Sequence, residues 1–240
     1  MGKISINCDV GEGIGNEDKL MPFIQSCNIA CGGHAGNELS MTETVLLAIK
    51  HKVEIGAHPS YPDIENFGRR SIEISMDKLS ASILKQIDTL HRIVVNCGGK
   101  LNHIKAHGAL YNDLMKNEEL SLEFLNIIET YKNDLKLFLP YGSIIAGIAV
   151  RDGFTVVYEA FADRNYNDDL SLVSRKEKNA VITDPHNILK QVLEIKNNGT
   201  ITSISGLQIP FLASTFCLHS DTANVIESIK YLNQNLNLKS

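Results

Sequence analysis

Several features that define other classes of protein are missing from this chain of 240 residues. It has no run of Lys and Arg that could follow a phosphate backbone, so we expect no nucleic-acid partner. No segment approaches the roughly 20 apolar residues needed to span a bilayer, and residues 1–9 lack the long apolar stretch of a secretory signal. The sequence therefore predicts a cytoplasmic protein with no membrane partner.

Motifs for zinc binding and for phosphate binding are missing as well. The five cysteines include no C-x-x-C pair, which favours buried thiols over a zinc or redox site. No G-x-x-x-x-G-K-[ST] loop occurs, because the Gly-Gly-Lys-Leu run at residues 98–101 is too short to form one. A conventional P-loop is therefore excluded.

Short β-rich runs alternate with stretches of helical periodicity, the order typical of parallel strands joined by helices. The predicted strands are 3–9, 24–30, 53–58, 101–107, 135–139, 154–161 and 211–219. The predicted helices are 41–51, 76–96, 120–132, 143–151 and 187–197, with a last helix opening at Ser220 or Asp221. Because no repeat or linker marks a boundary, we predict one α/β domain over residues 1–240.

Two segments interrupt this order. Residues 59–75 are rich in turn formers and charge, and residues 164–184 are polar without clear periodicity. We predict that both are loops over a functional site. Residues 200–210 are predicted to form a small hairpin.

Polar side chains collect where the predicted strands end. Four of them are Asp9, His58, His107 and His219, and Glu12 and His34 follow just beyond strand ends. A single histidine at such a position is more often a hydrogen-bonded structural residue than a catalyst. In barrels and open parallel sheets, however, the carboxyl ends of the strands share one functional face. Together these residues therefore predict one site.

The first and fourth strands carry the residues best suited to catalysis. Asn7 and Asp9 share one side of the first strand, and either Asp9 or Glu12 would serve as a general base or a hard-cation ligand. A capped turn is the structural alternative. Lys105 shares one side of its strand with His103 and His107, as a charge stabiliser or a proton donor of lowered pKa. A salt bridge to Asp9 or Glu159 is the alternative for this lysine.

Arginines follow in the two predicted loops. Arg69 and Arg70 could clamp a carboxylate, unless they only form surface ion pairs. Arg164 opens the second loop, and Arg175 could return to the same mouth. At the last strand, Asp221 would bind substrate or simply cap the helix.

Several blocks resemble the LamB/YcsF family in the same order from the first strand to the last. They are residues 7–12, 26–36, 56–59, 67–70, 105–112 and 159–166. The chain departs from the family pattern at Ala106, where Pro is frequent, and at Ser220, where Gly is usual. Gly33 stands where an aromatic residue is commoner, which would widen the pocket.

The resemblance implies a seven-stranded (β/α) barrel like that of the glycoside hydrolase/deacetylase group. It also implies ATP-dependent opening of 5-oxo-L-proline to L-glutamate, with ATP handled together with 5-oxoprolinase subunits B and C. The implied catalytic residues are Asp9, Glu12, Lys105, His107 and Glu159. The implied substrate-binding residues are Asn7, His34, His58, Arg69, Arg70, Asp163, Arg164, His219 and Asp221.

Two other functions compete with this interpretation. A metal-dependent deacetylase-like amidohydrolase would bind a divalent metal, and Asp9, His34 and His58 could supply its ligands. A non-catalytic component of the complex would only bind a lactam or a small sugar for its partners.

Overall fold

Seven parallel strands close into a barrel in the computed structural model, which describes residues 4–238. The first six barrel strands are β1 Ser5–Val10, β2 Ser26–Ala30, β3 Glu54–His58, β4 Leu101–Ile104, β5 Lys136–Pro140 and β6 Thr155–Phe161. Two strands outside the barrel follow, β7 Thr200–Thr202 and β8 Gln208–Pro210. The seventh barrel strand is β9 Thr215–Cys217. The strands follow chain order, and β9 pairs with both β6 and β1 to close the ring. This confirms the α/β class and the seven parallel strands.

The hairpin predicted for residues 200–210 is also present, as an antiparallel pair outside the barrel. Residues 1–3 and 239–240 lie outside the described residues, and with them Lys3, where the first strand was predicted to begin. The single domain over residues 1–240 stays a prediction.

Helices cover the barrel between successive strands. They are α1 Glu17–Leu20, α2 Glu38–His51, α3 Met76–Asn96, α4 Gly108–Leu114, α5 Glu118–Ile127, α6 Ile144–Arg151, α7 Pro185–Asn198 and α8 Val225–Leu236. In α3, Leu79, Ile83, Ile87 and Leu90 are buried at a spacing of three and four, which places one apolar face against the barrel. No helix in the described part of the chain is long and apolar enough to cross a membrane.

The last helix begins later than predicted. It opens at Val225, after Asn224 in the left-handed conformation, and neither Ser220 nor Asp221 caps it. The reason is electrostatic, because the Asp221 carboxylate accepts hydrogen bonds from Arg69 and Arg175 instead. The capping interpretation of Asp221 was therefore wrong.

The barrel interior is polar on its axis. Along β1, Ile6 and Cys8 join the apolar core, whereas Asn7 and Asp9 point into the barrel, as the period of two requires. A Cβ at Gly56 would collide with His103 Nε2, so only glycine leaves room for that imidazole to cross the interior.

Candidate active site

A cavity of about 590 Å³ opens at the carboxyl ends of the strands. Side chains from the strand ends line its floor: Asp9, His58, Lys105, His107, Phe161 and His219. The two predicted loops supply its rim, with Arg69 from the first and Arg164, Arg175 and Lys176 from the second. The loops therefore lie over the site, and the fold gathers the polar strand ends around one opening.

The chain around Lys105 is extended but no longer part of the barrel. β4 ends at Ile104, three residues earlier than predicted. The Lys105 amide donates to Ala57 O at 2.9 Å, and the His107 amide donates to Pro59 O at 2.8 Å. These two bonds hold the backbone beside β3, so both side chains still reach the floor.

Lys105 is a buried ammonium held between two carboxylates. Its side chain is 1% exposed, and Nζ lies 2.9 Å from Asp9 Oδ1 and 3.1 Å from Glu159 Oε1. Burial alone would lower the pKa of Lys105, but the charges around it, Asp9 foremost, raise it well above its ordinary value. The expectation of a lowered pKa was therefore wrong, and Lys105 serves as a fixed positive charge. Both ion pairs that were considered as alternatives are formed.

A hydrogen-bonded network supports this centre from below. Asn28 Nδ2 donates to Asp9 Oδ1 and to Asn7 Oδ1, each at 2.8 Å, and His103 Nε2 is 2.8 Å from Asn28 Oδ1. Behind the lysine, the Tyr111 hydroxyl donates to Glu159 Oε2 at 3.0 Å. The network fixes which oxygen of Asp9 meets the ammonium.

Three histidines and one carboxylate form a second cluster beside Asp9. The donor atoms of Glu12, His34, His58 and His107 all lie within 4.8 Å of one another. His34 Nε2 is 3.0 Å from Glu12 Oε1, and His107 Nδ1 is 3.4 Å from the same oxygen. Burial, followed by the charge on His58, lowers the pKa of His34 to about 3 and that of His107 to about 2. Both imidazoles are therefore neutral near pH 7.

The outer nitrogens of two imidazoles are committed to backbone carbonyls. His58 Nδ1 is 2.8 Å from Lys105 O, and His107 Nε2 is 3.0 Å from Phe67 O. Because a carbonyl can only accept, each of these nitrogens carries the proton, and a neutral ring then has a bare inner nitrogen. The two inner nitrogens face each other at 3.0 Å. At this distance the lone pair of His107 can accept a proton from His58, or both nitrogens can bind one metal ion.

The donor set fits a divalent metal ion. Zn–N bonds of about 2.0–2.1 Å place neighbouring ligand atoms of a tetrahedron roughly 3.3 Å apart. The spacings here include 3.0 Å between His58 Nε2 and His107 Nδ1 and 4.0 Å between His58 Nε2 and Glu12 Oε1, and all four donors lie within 4.8 Å of one another. Carbonyl bonds to the outer nitrogens are also the usual way to orient ligating histidines. Asp9 lies near this set, with Oδ2 3.4 Å from His58 Nε2, but its other oxygen is taken by Lys105 and Asn28.

Asp163 and His219 form a carboxylate–histidine pair, of which His219 lines the floor. His219 Nδ1 lies 3.0 Å and 3.1 Å from the two Asp163 oxygens, and the His219 amide donates to Oδ2 at 3.0 Å. Burial would raise the pKa of Asp163, but His219 and the hydrogen bonds hold it below its ordinary value. The carboxylate therefore keeps the Nδ1 proton in place and leaves Nε2 free for proton transfer.

Asp221 joins the two rim loops. Its Oδ2 accepts from Arg69 Nη2 and from Arg175 Nη1, each at 3.1 Å. Arg69 also stacks over the ring of Phe67, with its guanidinium carbon 4.9 Å from the centroid. Arg70 is exposed and does not line the cavity. Of the two arginines predicted to hold a carboxylate, only Arg69 is placed to do so.

Comparisons with known proteins agree with this geometry. The model of the LamB/YcsF family matches residues 4–240. The chain belongs to the LamB/YcsF family. It is 41% identical over 229 residues to a protein of Acinetobacter baumannii named as the A subunit of 5-oxoprolinase, covering 93% of this chain and 90% of that protein. Its identity to the protein of the same name from Bacillus anthracis is 39% over 233 residues, covering 95% and 92%.

Solved structures place the fold. The "Lactam Utilization Protein" of Thermus thermophilus is 30% identical, with a TM-score of 0.90 over 98% of both chains. A peptidoglycan N-acetylglucosamine deacetylase shares the fold with a TM-score of 0.50 and 13% identity, covering 98% of this chain and 81% of that one. The predicted likeness to the deacetylase barrels is confirmed.

The residues that the family resemblance singled out fall into two groups. Those facing the cavity are Asp9, His58, Arg69, Lys105, His107, Arg164 and His219. Those lying behind them or beside the opening are Asn7, Glu12, His34, Arg70, Glu159, Asp163 and Asp221. Gly33 does not widen the pocket, because it does not line the cavity, and a Cβ there would point at Ser60 Oγ and Gln86 Oε1, which do not line it either. That expectation was wrong.

Sequence reasoning missed two members of this LamB/YcsF site. Asn28 bonds Asp9, and Tyr111 bonds Glu159. The signal for Asn28 is an amide in the middle of a strand whose residues are all buried. The signal for Tyr111 is its place one helical turn after His107, which directs it back toward the strand ends.

Proposed function

We propose that this chain is the A subunit of an ATP-dependent 5-oxoprolinase, which hydrolyses 5-oxo-L-proline to L-glutamate together with subunits B and C. The observation that carries the proposal is the identity of 39% and 41%, over more than nine-tenths of the chain, to proteins of that name. The site supports it, because a buried ammonium, a carboxylate and a carboxylate–histidine pair surround one cavity. Since ATP is supplied inside the cell, the proposal entails a cytoplasmic location.

The geometry suggests a role for each group. Asp9 is the carboxylate that faces the cavity, and it would accept a proton from the attacking water. Lys105 would stabilise the negative charge that develops on oxygen at the former amide carbon, with His107 beside it. His219, held by Asp163, would deliver a proton to the departing ring nitrogen. Arg69 would hold the substrate carboxylate.

Glu159 and Glu12 would act through other residues. Glu159 is buried behind Lys105 and fixes its ammonium together with Asp9. Glu12 faces the three histidines rather than the cavity. In this proposal Glu159 is a positioning residue, and Glu12 belongs to the metal-binding cluster.

A metal-dependent amidohydrolase is the second candidate, and the four-donor cluster favours it. Glu12, His34, His58 and His107 would hold the ion, in place of the predicted set of Asp9, His34 and His58. A bound divalent ion would supply Lewis acidity at the amide oxygen. Such an ion is also compatible with the 5-oxoprolinase proposal.

Reconstitution tests the first candidate. The purified chain is mixed with subunits B and C, ATP and 5-oxo-L-proline, and glutamate and ADP are measured. We expect glutamate only when all three chains are present, and its loss with Asp9→Asn. A full set of partners that forms no glutamate would reject the proposed substrate, and full turnover with Asp9→Asn would leave this chain a binding role only.

Metal analysis tests the second candidate. Elemental analysis and calorimetric titration with Zn²⁺ are expected to show one ion per chain in the wild type. His58→Ala should lower its affinity at least about tenfold, whereas the exposed His186→Ala should not. A metal-dependent amidohydrolase would hydrolyse simple amides without ATP and lose that activity on chelation.

A further inference from the structure

A glutamine lies on the buried face of α7. Gln191 is 8% exposed, three positions after Ile188 and four before Ile195, which are both buried. An amide at such a position costs free energy unless its polar atoms are hydrogen-bonded, whereas an aliphatic side chain would fill the place without that cost. The partners of Gln191 therefore indicate what the amide is for.

The Gln191 amide nitrogen binds one short stretch of backbone. It lies within hydrogen-bonding distance of three main-chain carbonyl oxygens, those of Phe161 at 2.9 Å, Arg164 at 3.0 Å and Ala162 at 3.3 Å. The remaining carbonyl of this stretch, that of Asp163, accepts from the Ile182 amide at 2.8 Å. Every carbonyl from residue 161 to residue 164 is therefore bonded, and one side chain supplies the donor for three of them.

This stretch is the turn that leads from the barrel into the second rim loop. β6 ends at Phe161, and residues 162–163 form the turn. In an extended strand, side chains three positions apart point to opposite faces. Phe161 and Arg164 nevertheless both line the cavity. The turn therefore redirects the chain, and Gln191 binds carbonyls on both sides of it.

The same turn carries two residues that orient the imidazole of His219. Asp163 Oδ1 lies 3.0 Å from His219 Nδ1. The Phe161 ring stacks on the imidazole, with 5.2 Å between the centroids and 14° between the planes. Because Phe161 and Asp163 are two positions apart, a rotation of the turn would move the aromatic ring and the carboxylate together.

We propose that Gln191 is a positioning residue, which fixes the turn after β6 so that Asp163 and Phe161 hold His219 with its proton on Nδ1 and with Nε2 free for proton transfer. Gln191 does not line the cavity, so it acts on His219 only through the backbone that it binds. The catalytic consequence rests on the proposed function, in which His219 protonates the departing ring nitrogen. The orientation of the imidazole does not depend on that function.

The tautomer of His219 in the isolated chain is the first test. Nitrogen-15 NMR at about pH 8.5, roughly two units above the ordinary pKa of histidine, distinguishes a proton on Nδ1 from one on Nε2. The spectrum of His219→Gln identifies the signals. We expect the Nδ1–H form in the wild type and a mixture of the two forms in Gln191→Met, which keeps an unbranched side chain but has no donor.

Gln86→Met is the matched control for this spectrum. Gln86 is a similarly buried glutamine, 5% exposed, on the inner face of α3, and its amide bonds Ser60 and Ser82 rather than the turn after β6. Its His219 signals should equal those of the wild type. A wild-type spectrum for Gln191→Met, or the same change in both variants, would overturn the proposal.

Urea unfolding establishes that each variant is folded under the conditions of the spectrum. If Gln191→Met does not fold, Gln191→Asn takes its place, because it keeps the amide and shortens its reach by one methylene. The same two outcomes of the spectrum then decide the proposal.

The reconstituted enzyme separates this inference from the proposed function. With subunits B and C, Gln191→Met should lower kcat for glutamate formation on the order of 10²-fold, because a shift of about 1 Å in a catalytic group has an effect of that size. KM should change little, since Arg69 is untouched. A tautomer that depends on Gln191, without glutamate from any combination of the wild-type chains, would reject the proposed substrate and leave Gln191 as the residue that orients His219. A near-normal kcat for the folded variant would overturn its role in catalysis.

Discussion

The floor and the rim of the cavity differ in how their charges are balanced. On the floor, Lys105 lies within 3.1 Å of two carboxylates, and Asn28 fixes one of them. On the rim, Arg164 is buried against neutral carbonyls, and Arg69 and Arg175 share a single carboxylate. The charge of Lys105 is thus balanced within the protein, whereas the rim leaves positive charge for a ligand. In the proposed function, the residues of the barrel would carry out the chemistry and those of the loops would bind the substrate.

The floor should be the most sensitive region. Lys105→Met leaves Asp9 and Glu159 buried without their partner, so the free energy of unfolding should fall by about 3–5 kcal/mol. Turnover should fall on the order of 10²–10³-fold or more, because the fixed charge near the developing oxyanion is lost. Urea unfolding and the reconstituted assay measure the two effects.

A double variant distinguishes structure from chemistry at this lysine. Lys105→Met/Glu159→Gln removes one stranded carboxylate and should recover part of the stability without recovering turnover. Recovery of turnover along with stability would show that Lys105 has only a structural role.

The carboxylate–histidine pair should be next in sensitivity. Asp163→Asn no longer fixes the Nδ1 proton of His219, so kcat should fall on the order of 10²-fold with a smaller change in KM. The pH profile of kcat should change shape as well. An unchanged profile with reduced kcat would indicate loss of packing rather than loss of proton transfer.

The same variant makes a prediction about acid stability. The folded pKa of Asp163 lies below its ordinary value, so its contribution is complete above about pH 4 and is lost as the pH falls through the folded pKa. Below about pH 4, the free energy of unfolding of the wild type should therefore fall more steeply with decreasing pH than that of Asp163→Asn. Urea unfolding at a series of pH values measures both curves. Parallel curves would contradict this account.

The rim arginines should give the smallest effects. Arg69→Ala removes a bond to Asp221 and the proposed carboxylate contact, so KM should rise about tenfold with stability changed by less than about 1 kcal/mol. Arg70→Ala is the matched control, because Arg70 is exposed and does not line the cavity. Equal effects of the two substitutions would remove Arg69 from the site.

Many residues of the floor could be predicted from the sequence, because side chains alternate along a strand with a period of two. Asn7 and Asp9 alternate along one strand, and His58 ends the next but one. The end of the fourth strand could not be predicted from the sequence. Lys105 and His107 continue its extended backbone but are not part of the hydrogen-bonded barrel strand. The one-turn and two-turn helices α1 and α4 are too short to show a period.

Which polar residues contact each other could be learned only from the three-dimensional structure. Sequence reasoning placed Asp9 in the metal set, but distances favour Glu12 and His107, because Asp9 is engaged by Lys105. The sequence was compatible with Asp221 either capping the last helix or binding substrate. Its carboxylate accepts hydrogen bonds from Arg69 and Arg175, which come from two distant loops, and therefore does not cap the helix. The pKa of Lys105 is raised rather than lowered, and this also depends on distant partners. Asp9 lies 96 positions before Lys105 in the chain, and Glu159 lies 54 positions after it.

Pairing of β1 with β9 has a consequence for biosynthesis. The ring closes only when residues 215–217 dock beside residues 5–7. On the ribosome, Asp9, Lys105 and Glu159 therefore remain hydrated until β9 has emerged. A nascent chain stalled before β9 can hold neither the buried ion pairs nor the closed cavity, although the residues of the first six barrel strands are already made.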